Sequence, residues 1–270
     1  MQTSIKFAAK IRDTRRGFSA IEMLIAIALI MLVMGVAIKA MQEMQQRSAS
    51  ESSKTDTVQE TRDFIDQIVR DIHGAGYPPA RAQSWGVGVV PLCTNPTGVL
   101  NPQGFWNNPA VACGVISYNR NQIIYEGDLD GTGVVSTVTV DIVPAPGGGG
   151  TCPCILRRGV QTKLLALAGT PLQYFTEVNG VLNSGNGAGG SLFGVTLPGP
   201  GNYNAYNSAD VFDAYDVNGN PVAPCTLITI PDCTSIRSIQ ISANVAPTYN
   251  DLATRLYPVF SVTSKARLNF

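Results

Sequence analysis

Between Phe18 and Ile38 every residue is apolar except Ser19 and Glu22. Wound into a helix at 1.5 Å per residue, those positions span roughly 31 Å, about one hydrocarbon core. A helix bound for the core of a soluble domain keeps a polar face, and this run has none. The chain is therefore expected to enter a membrane. A carboxylate inside such a run costs about 2.5–3.5 kcal/mol on insertion scales, which makes Glu22 a candidate for function.

The flanks bear on orientation and processing. Residues 1–17, MQTSIKFAAKIRDTRRG, carry Lys6, Lys10, Arg12, Arg15 and Arg16 against Asp13 alone, a net of +4. Positive flanks stay cytoplasmic, so the chain beyond Ile38 is expected on the outer side. A secretory signal would be cut after the apolar run at a small-residue site. Ala37-Ile38-Lys39 is a poor site of that kind, whereas Gly17-Phe18 puts a small residue beside the basic block. Cleavage there would remove the leader and keep the membrane helix.

Arg16-Gly17-Phe18-Ser19-Ala20-Ile21-Glu22 resembles the class III signal of type IV prepilins. The resemblance implies that a prepilin peptidase cuts after Gly17 and methylates the new terminus at Phe18. It also implies that Glu22, matching the family's intramembrane glutamate, sets axial register by meeting the amine of a neighbouring subunit. Ala20 stands where the family usually has leucine. The physics agrees: cleavage creates a positive amine at the bilayer edge, and paired opposite charges are cheaper in lipid than either alone. A glutamate that only snorkels to the headgroups is the alternative.

The expected organisation is a leader at 1–17, a transmembrane and assembly helix at 18–39, an exported amphipathic helix at 40–76 and a β-rich globular domain at 77–270. Residues 45–57 are almost wholly polar, either a solvated spacer or a place for the helix to loosen. Beyond them Val58, Thr61, Ile65, Ile68, Val69 and Ile72 recur at three- and four-residue spacing, an amphipathic stripe able to pack on a sheet. Gly74, Gly76 and Pro78-Pro79 should end the helix, with His73 as a cap or surface residue. Strands are expected at 121–127, 134–143, 154–159, 172–178, 211–217, 235–245 and 257–268, and VNGNP (217–221) as a hairpin turn. The glycine-rich stretches PAPGGGG (144–150) and NSGNGAGGS (183–191) are expected as loops, and neither has the lysine of a phosphate loop.

RDIHGAGY (70–77), IIYEGDLDGTGVV, CILRRG, FDAYDVNGNPV and the terminal SVTSKARLNF resemble, in order, blocks of PilW-type minor pilins, relatives of the J pseudopilins of type II secretion. That resemblance implies an α+β, pilin-like fold with a long N-terminal helix against antiparallel β-sheets. It implies a structural minor pilin in the tip or priming complex, serving pilus assembly and hence twitching motility and cell adhesion. Its partners would be the prepilin peptidase, other minor and major pilins and the inner membrane. The protein would be single-pass there with a periplasmic C-terminal domain, and extracellular once in the pilus. A J-type pseudopilin, or a displayed adhesin or ligand-binding module, are the competing functions.

Removing the leader takes five basic residues and one acidic residue from 19 of each, leaving 14 against 18 and a net of −4. Nucleic-acid binding, which uses a basic face, is not expected. All six cysteines, Cys93, Cys113, Cys152, Cys154, Cys225 and Cys233, follow the membrane segment and read as disulfides of an exported domain. Spacing suggests Cys225–Cys233 and Cys93–Cys113, while Cys152 and Cys154 would pair with each other only under strain, leaving cross-pairing open.

Asp128, Asp130 and Thr132 are spaced like the first three ligands of a calcium loop, with Gly133 at its sharp turn. The closing carboxylate would fall at Thr139, and Asp141 comes two positions late. An Asp/Gly hairpin turn is the preferred reading, so no cofactor or metal is expected. With one histidine, and Asp213 and Asp216 merely flanking a turn, no catalytic constellation is expected either.

Overall fold

The structure, a computed structural model, describes residues 19–77, 109–146, 150–184, 186–187, 190–191, 194–195, 197, 201–206, 209–226, 233–251 and 254–268. The junction Gly17-Phe18, Pro78-Pro79 and Cys93 lie outside the described residues. One unbroken helix, α1, runs over Ala20–Gly74, 55 residues. The chain divides into two compact units within it, Met1–Ser48 and Ala49–Phe270.

In the first unit every residue from Ser19 to Ser48 is exposed. Its helix is long and apolar enough to cross a membrane. The second unit begins in the polar stretch that the sequence marks as a spacer, and the helix does not loosen there. The threonine hydroxyls there turn back onto the helix: Thr55 Oγ1 donates to Glu51 O (3.1 Å), Thr57 Oγ1 to Ser53 O (2.8 Å) and, one turn on, Thr61 Oγ1 to Thr57 O (2.7 Å). Each closes on the preceding turn instead of competing with it from a loop.

From Thr61 the stripe turns inward. Thr61, Phe64, Ile65, Ile68 and Ile72 are buried, whereas Val58 and Val69 are half-buried. Full burial of side chains such as Ile65, Ile68 and Ile72 contributes about 1.5–3 kcal/mol each, so this face holds the helix on the sheet. The helix stops at Gly74, and Gly76 takes φ +82°, a left-handed conformation that glycine reaches without a Cβ penalty.

The strands are β1 (Gly114–Asn119), β2 (Gln122–Gly127), β3 (Ser136–Pro144), β4 (Thr151–Cys152), β5 (Cys154–Thr162) and β6 (Tyr174–Val181). After them come β7 (Asn186–Gly187), β8 (Gly190–Ser191), β9 (Gly194–Val195), β10 (Phe212–Tyr215), β11 (Cys225–Thr226), β12 (Ser238–Val245) and β13 (Phe260–Arg267). A five-residue helix, α2 (Lys163–Leu167), follows β5 and is capped by Thr162 Oγ1, which accepts from Leu165 N.

Among the described residues, nine strands form one antiparallel sheet in the order β10-β12-β6-β5-β3-β2-β1-β11, with β13 along the other edge of β12. The β3–β5 ladder is continuous from Ser136↔Thr162 to Pro144↔Cys154. Ile123, Tyr125, Val138, Val140, Leu156, Ile239 and Ile241 join the helix stripe in one core. The fold is therefore α+β, a long N-terminal helix packed on an antiparallel sheet, as the sequence leads one to expect.

Strands β1, β4, β9 and β11 and helix α2 fall outside the expected elements, and two turns differ in detail. NSGNGAGGS, expected as loop only, contains the paired dipeptides β7 and β8, whose ladder needs backbone alone. VNGNP turns at Gly219 (φ +82°) but closes on a single bridge, Tyr215↔Pro221.

Candidate functional site

The apolar half-helix is the first candidate. Its start is organised by Glu22, whose Oε2 accepts the backbone N–H of Ser19 at 3.0 Å. A side chain three residues into a helix that reaches back to a free N–H satisfies one of the donors every helix start leaves open. Its negative charge also suits the positive end of the helix dipole. Glu22 is thus held at the start of the described helix. Gly17 and Phe18, the expected cleavage and methylation positions, lie outside the described residues.

The second candidate is the set of polar ties that root the other half of α1 in the sheet. Asp71 Oδ2 receives Arg158 Nη2 from β5 at 2.6 Å and Tyr125 Oη from β2 at 3.1 Å. Both members of the ion pair are largely buried. Burial, and then the charge of Asp71, push the Tyr125 hydroxyl well above its usual range, so it stays a donor.

A deeper knot lies at β2. Lys163 Nζ is fully buried and donates to Glu126 Oε2 (2.6 Å) and Val111 O (2.8 Å), while Cys113 N also donates to Glu126 Oε2 (3.1 Å). The backbone carbonyl of Glu126 accepts from Gly76 N at 2.8 Å. One residue of β2 therefore fixes both the chain leaving α1 and the chain arriving at β1. Burial raises the Glu126 carboxyl above its usual range although Lys163 pulls it down, and burial lowers Lys163 although Glu126 pulls it up.

These ties were not legible in the sequence. Asp71 and Arg158 are 87 positions apart and Glu126 and Lys163 37 apart, with no local spacing to announce them.

The cysteines resolve the open question. Cys152 pairs with Cys154 (Cα–Cα 4.3 Å) and Cys225 with Cys233 (Cα–Cα 5.3 Å). Cys113 is disulfide-bonded as well, and Cys93, its expected partner by spacing, lies outside the described residues.

In the acidic turn Asp128 Oδ2 accepts from Gly133 N (2.8 Å), and Asp130 Oδ1 accepts from Thr132 N and Thr132 Oγ1 (3.1 and 2.7 Å). These are turn bonds, and they draw the Asp130 carboxyl below its usual range. Thr139 and Asp141, the residues at and beyond the closing position of a calcium loop, sit in β3, where Asp141 holds Arg157 at 2.7 Å. Among the described residues no group of three acidic, histidine or cysteine side chains is placed to hold a metal.

Asp213 and Asp216 part ways electrostatically. Burial, then Asp210, raise Asp213, whereas the Asn220 N–H, followed by the Asn220 side chain, lowers Asp216. His73 is exposed in the last turn of α1.

No family model, characterised protein or solved structure matches this chain.

Proposed function

We propose that the chain is a prepilin-type structural subunit, a minor pilin that enters a type IV pilus, at or near its tip, through the apolar half of α1. The observation that supports this most is the division of that helix. Ser19–Ser48 is exposed throughout and carries one carboxylate among its first residues, while Thr61, Phe64, Ile65, Ile68 and Ile72 further along are buried. The apolar run within it, from Phe18 to Ile38 but for Ser19 and Glu22, needs lipid or other helices around it when left uncovered.

In this reading prepilin peptidase removes residues 1–17 and methylates Phe18, leaving a single-pass inner-membrane protein with its globular domain in the periplasm. Other minor and major pilins then replace lipid around the helix during assembly, and the subunit ends outside the cell. Glu22 pairs with the amine of a neighbour, so that register is set by one charge pair in an otherwise uniform apolar surface. The role is structural and asks for no catalytic group or cofactor.

Glu22→Ala tests the mechanism. The variant should insert and be cleaved as the parent is, because the change makes the helix more apolar. It should then fail to co-purify with the other pilins. Loss of about 3–5 kcal/mol on breaking a buried pair would cut assembly by several powers of ten. Glu22→Gln, which keeps shape and an acceptor but not charge, should fail similarly. Normal co-assembly of Glu22→Ala would defeat the register mechanism.

A further inference from the structure

A cleft of about 820 Å³ lies between α1 and the chain leaving β12. One wall is helical, and Asp56 and Glu60 stand on it one turn apart, hence side by side. Tyr249, Tyr257, Pro153 and Ile155 line the same cleft. Among the described lining residues there is no lysine or arginine.

The helix is held to the segment that bears Tyr249. Ser50 Oγ donates to Asn250 O (3.4 Å), and Lys54 Nζ reaches Asp251 Oδ2 (3.3 Å), so the helix is tied to the Tyr249 segment. Tyr257 N donates to Tyr203 Oη (2.9 Å), and that hydroxyl donates back to Tyr257 O (3.2 Å). Tyr249 is 57 % exposed. Asp56 accepts one hydrogen bond, from Ser52 Oγ at 3.2 Å. Burial and the like charge of Glu177 both weigh against ionised Glu60.

A cleft that holds two adjacent carboxylates, two tyrosines and apolar side chains is complementary to a planar cation with apolar neighbours. Guanidinium fits this better than ammonium, since it forks onto carboxylates and stacks on rings. We infer that this cleft binds an arginine side chain presented by a peptide segment of a partner protein, with Asp56 and Glu60 taking the guanidinium, Tyr249 stacking on it and Pro153 and Ile155 taking the flanking apolar residues. The inference stands apart from the assembly role of Glu22, because every residue in it lies beyond Ser48.

Calorimetric titration of the full chain in neutral detergent tests it, with the peptide Ac-Ala-Arg-Ala-NH2 and a twin in which citrulline, uncharged and nearly isosteric, replaces arginine. The arginine peptide should bind saturably, and the twin about tenfold or more weakly, with binding falling as salt rises. Asp56→Asn combined with Glu60→Gln should reproduce the loss, and so should Tyr249→Ala, at a mostly exposed residue. The inference is overturned if the arginine peptide does not bind, if the twin binds equally, or if the doubly neutralised variant binds as the parent does. The peptide comparison needs no variant and so does not depend on any variant folding.

Discussion

Asp71 of the helix and Arg158 of β5 stand 2.6 Å apart across 87 positions of sequence, and Tyr125 completes the site by donating to the same carboxylate oxygen. This arrangement fixes the last turns of α1 against two strands at once.

Asp71→Ala leaves Arg158 buried without its counter-charge, which typically costs about 3–5 kcal/mol. Urea unfolding of the detergent-solubilised chain should show a loss of that size. Asp71→Asn, which keeps an acceptor for Tyr125, should lose less than Asp71→Ala. A loss under about 1 kcal/mol for Asp71→Ala would mean that the pair is replaceable by water.

The Glu126–Lys163 pair predicts a pH dependence with a definite sign. Folding raises the Glu126 pKa above 4.5, so its contribution to stability is present in acid and is lost as pH rises through the folded value. Lys163→Met removes the group that pulls Glu126 down and should extend that loss to higher pH. The variant should therefore be least destabilised near pH 4.5 and most at pH 8, as read from urea midpoints. Adding Glu126→Gln should recover most of the deficit at pH 8, because no unpaired buried charge remains. A pH-independent deficit would contradict the assignment.

Much of the fold can be read from spacing because its causes are local. Thr61, Ile65, Ile68 and Ile72 announce the buried stripe, and Phe64 belongs to it, three residues after Thr61 and four before Ile68. Alternation at Ile239 and Ile241 announces β12. Strand β1 escapes such reading because a shift of register between Val115 and Ser117 breaks the two-residue period. The ion pairs escape it because nothing near Asp71 says which strand residue it will meet. Glu22 is legible for the opposite reason: a lone charge in an apolar run needs no tertiary context to stand out.

Disulfide mapping under non-reducing conditions should recover a peptide closed by Cys152 and Cys154 and a second linking Cys225 to Cys233. Replacing Cys225 and Cys233 together by serine should cost about 2–3 kcal/mol, the loop-closure entropy for a ring of this length. Cross-linking of Cys152 or Cys154 to any other cysteine would contradict the observed pairing.

Gly180→Ala should be severely destabilising. Gly180 takes φ +73°, and a Cβ there would run into the Ala246 carbonyl. Ala246 N meanwhile donates to Gly180 O at 2.9 Å, so neither backbone can withdraw freely. Strain of about 1–3 kcal/mol from the dihedral alone should add to the clash. Thermal melts within about one degree of the parent would refute this.

The central claim is that the chain is processed as a prepilin, leaving Phe18 and Glu22 at the head of an exposed apolar helix. Mass spectrometry of the N-terminal peptide, from protein isolated out of its native envelope, tests it most directly. The account predicts a chain that begins at Phe18 and carries a methyl group on its amine. A chain that retains Met1, or one cut after Ala37 so that the apolar helix is lost, would contradict it.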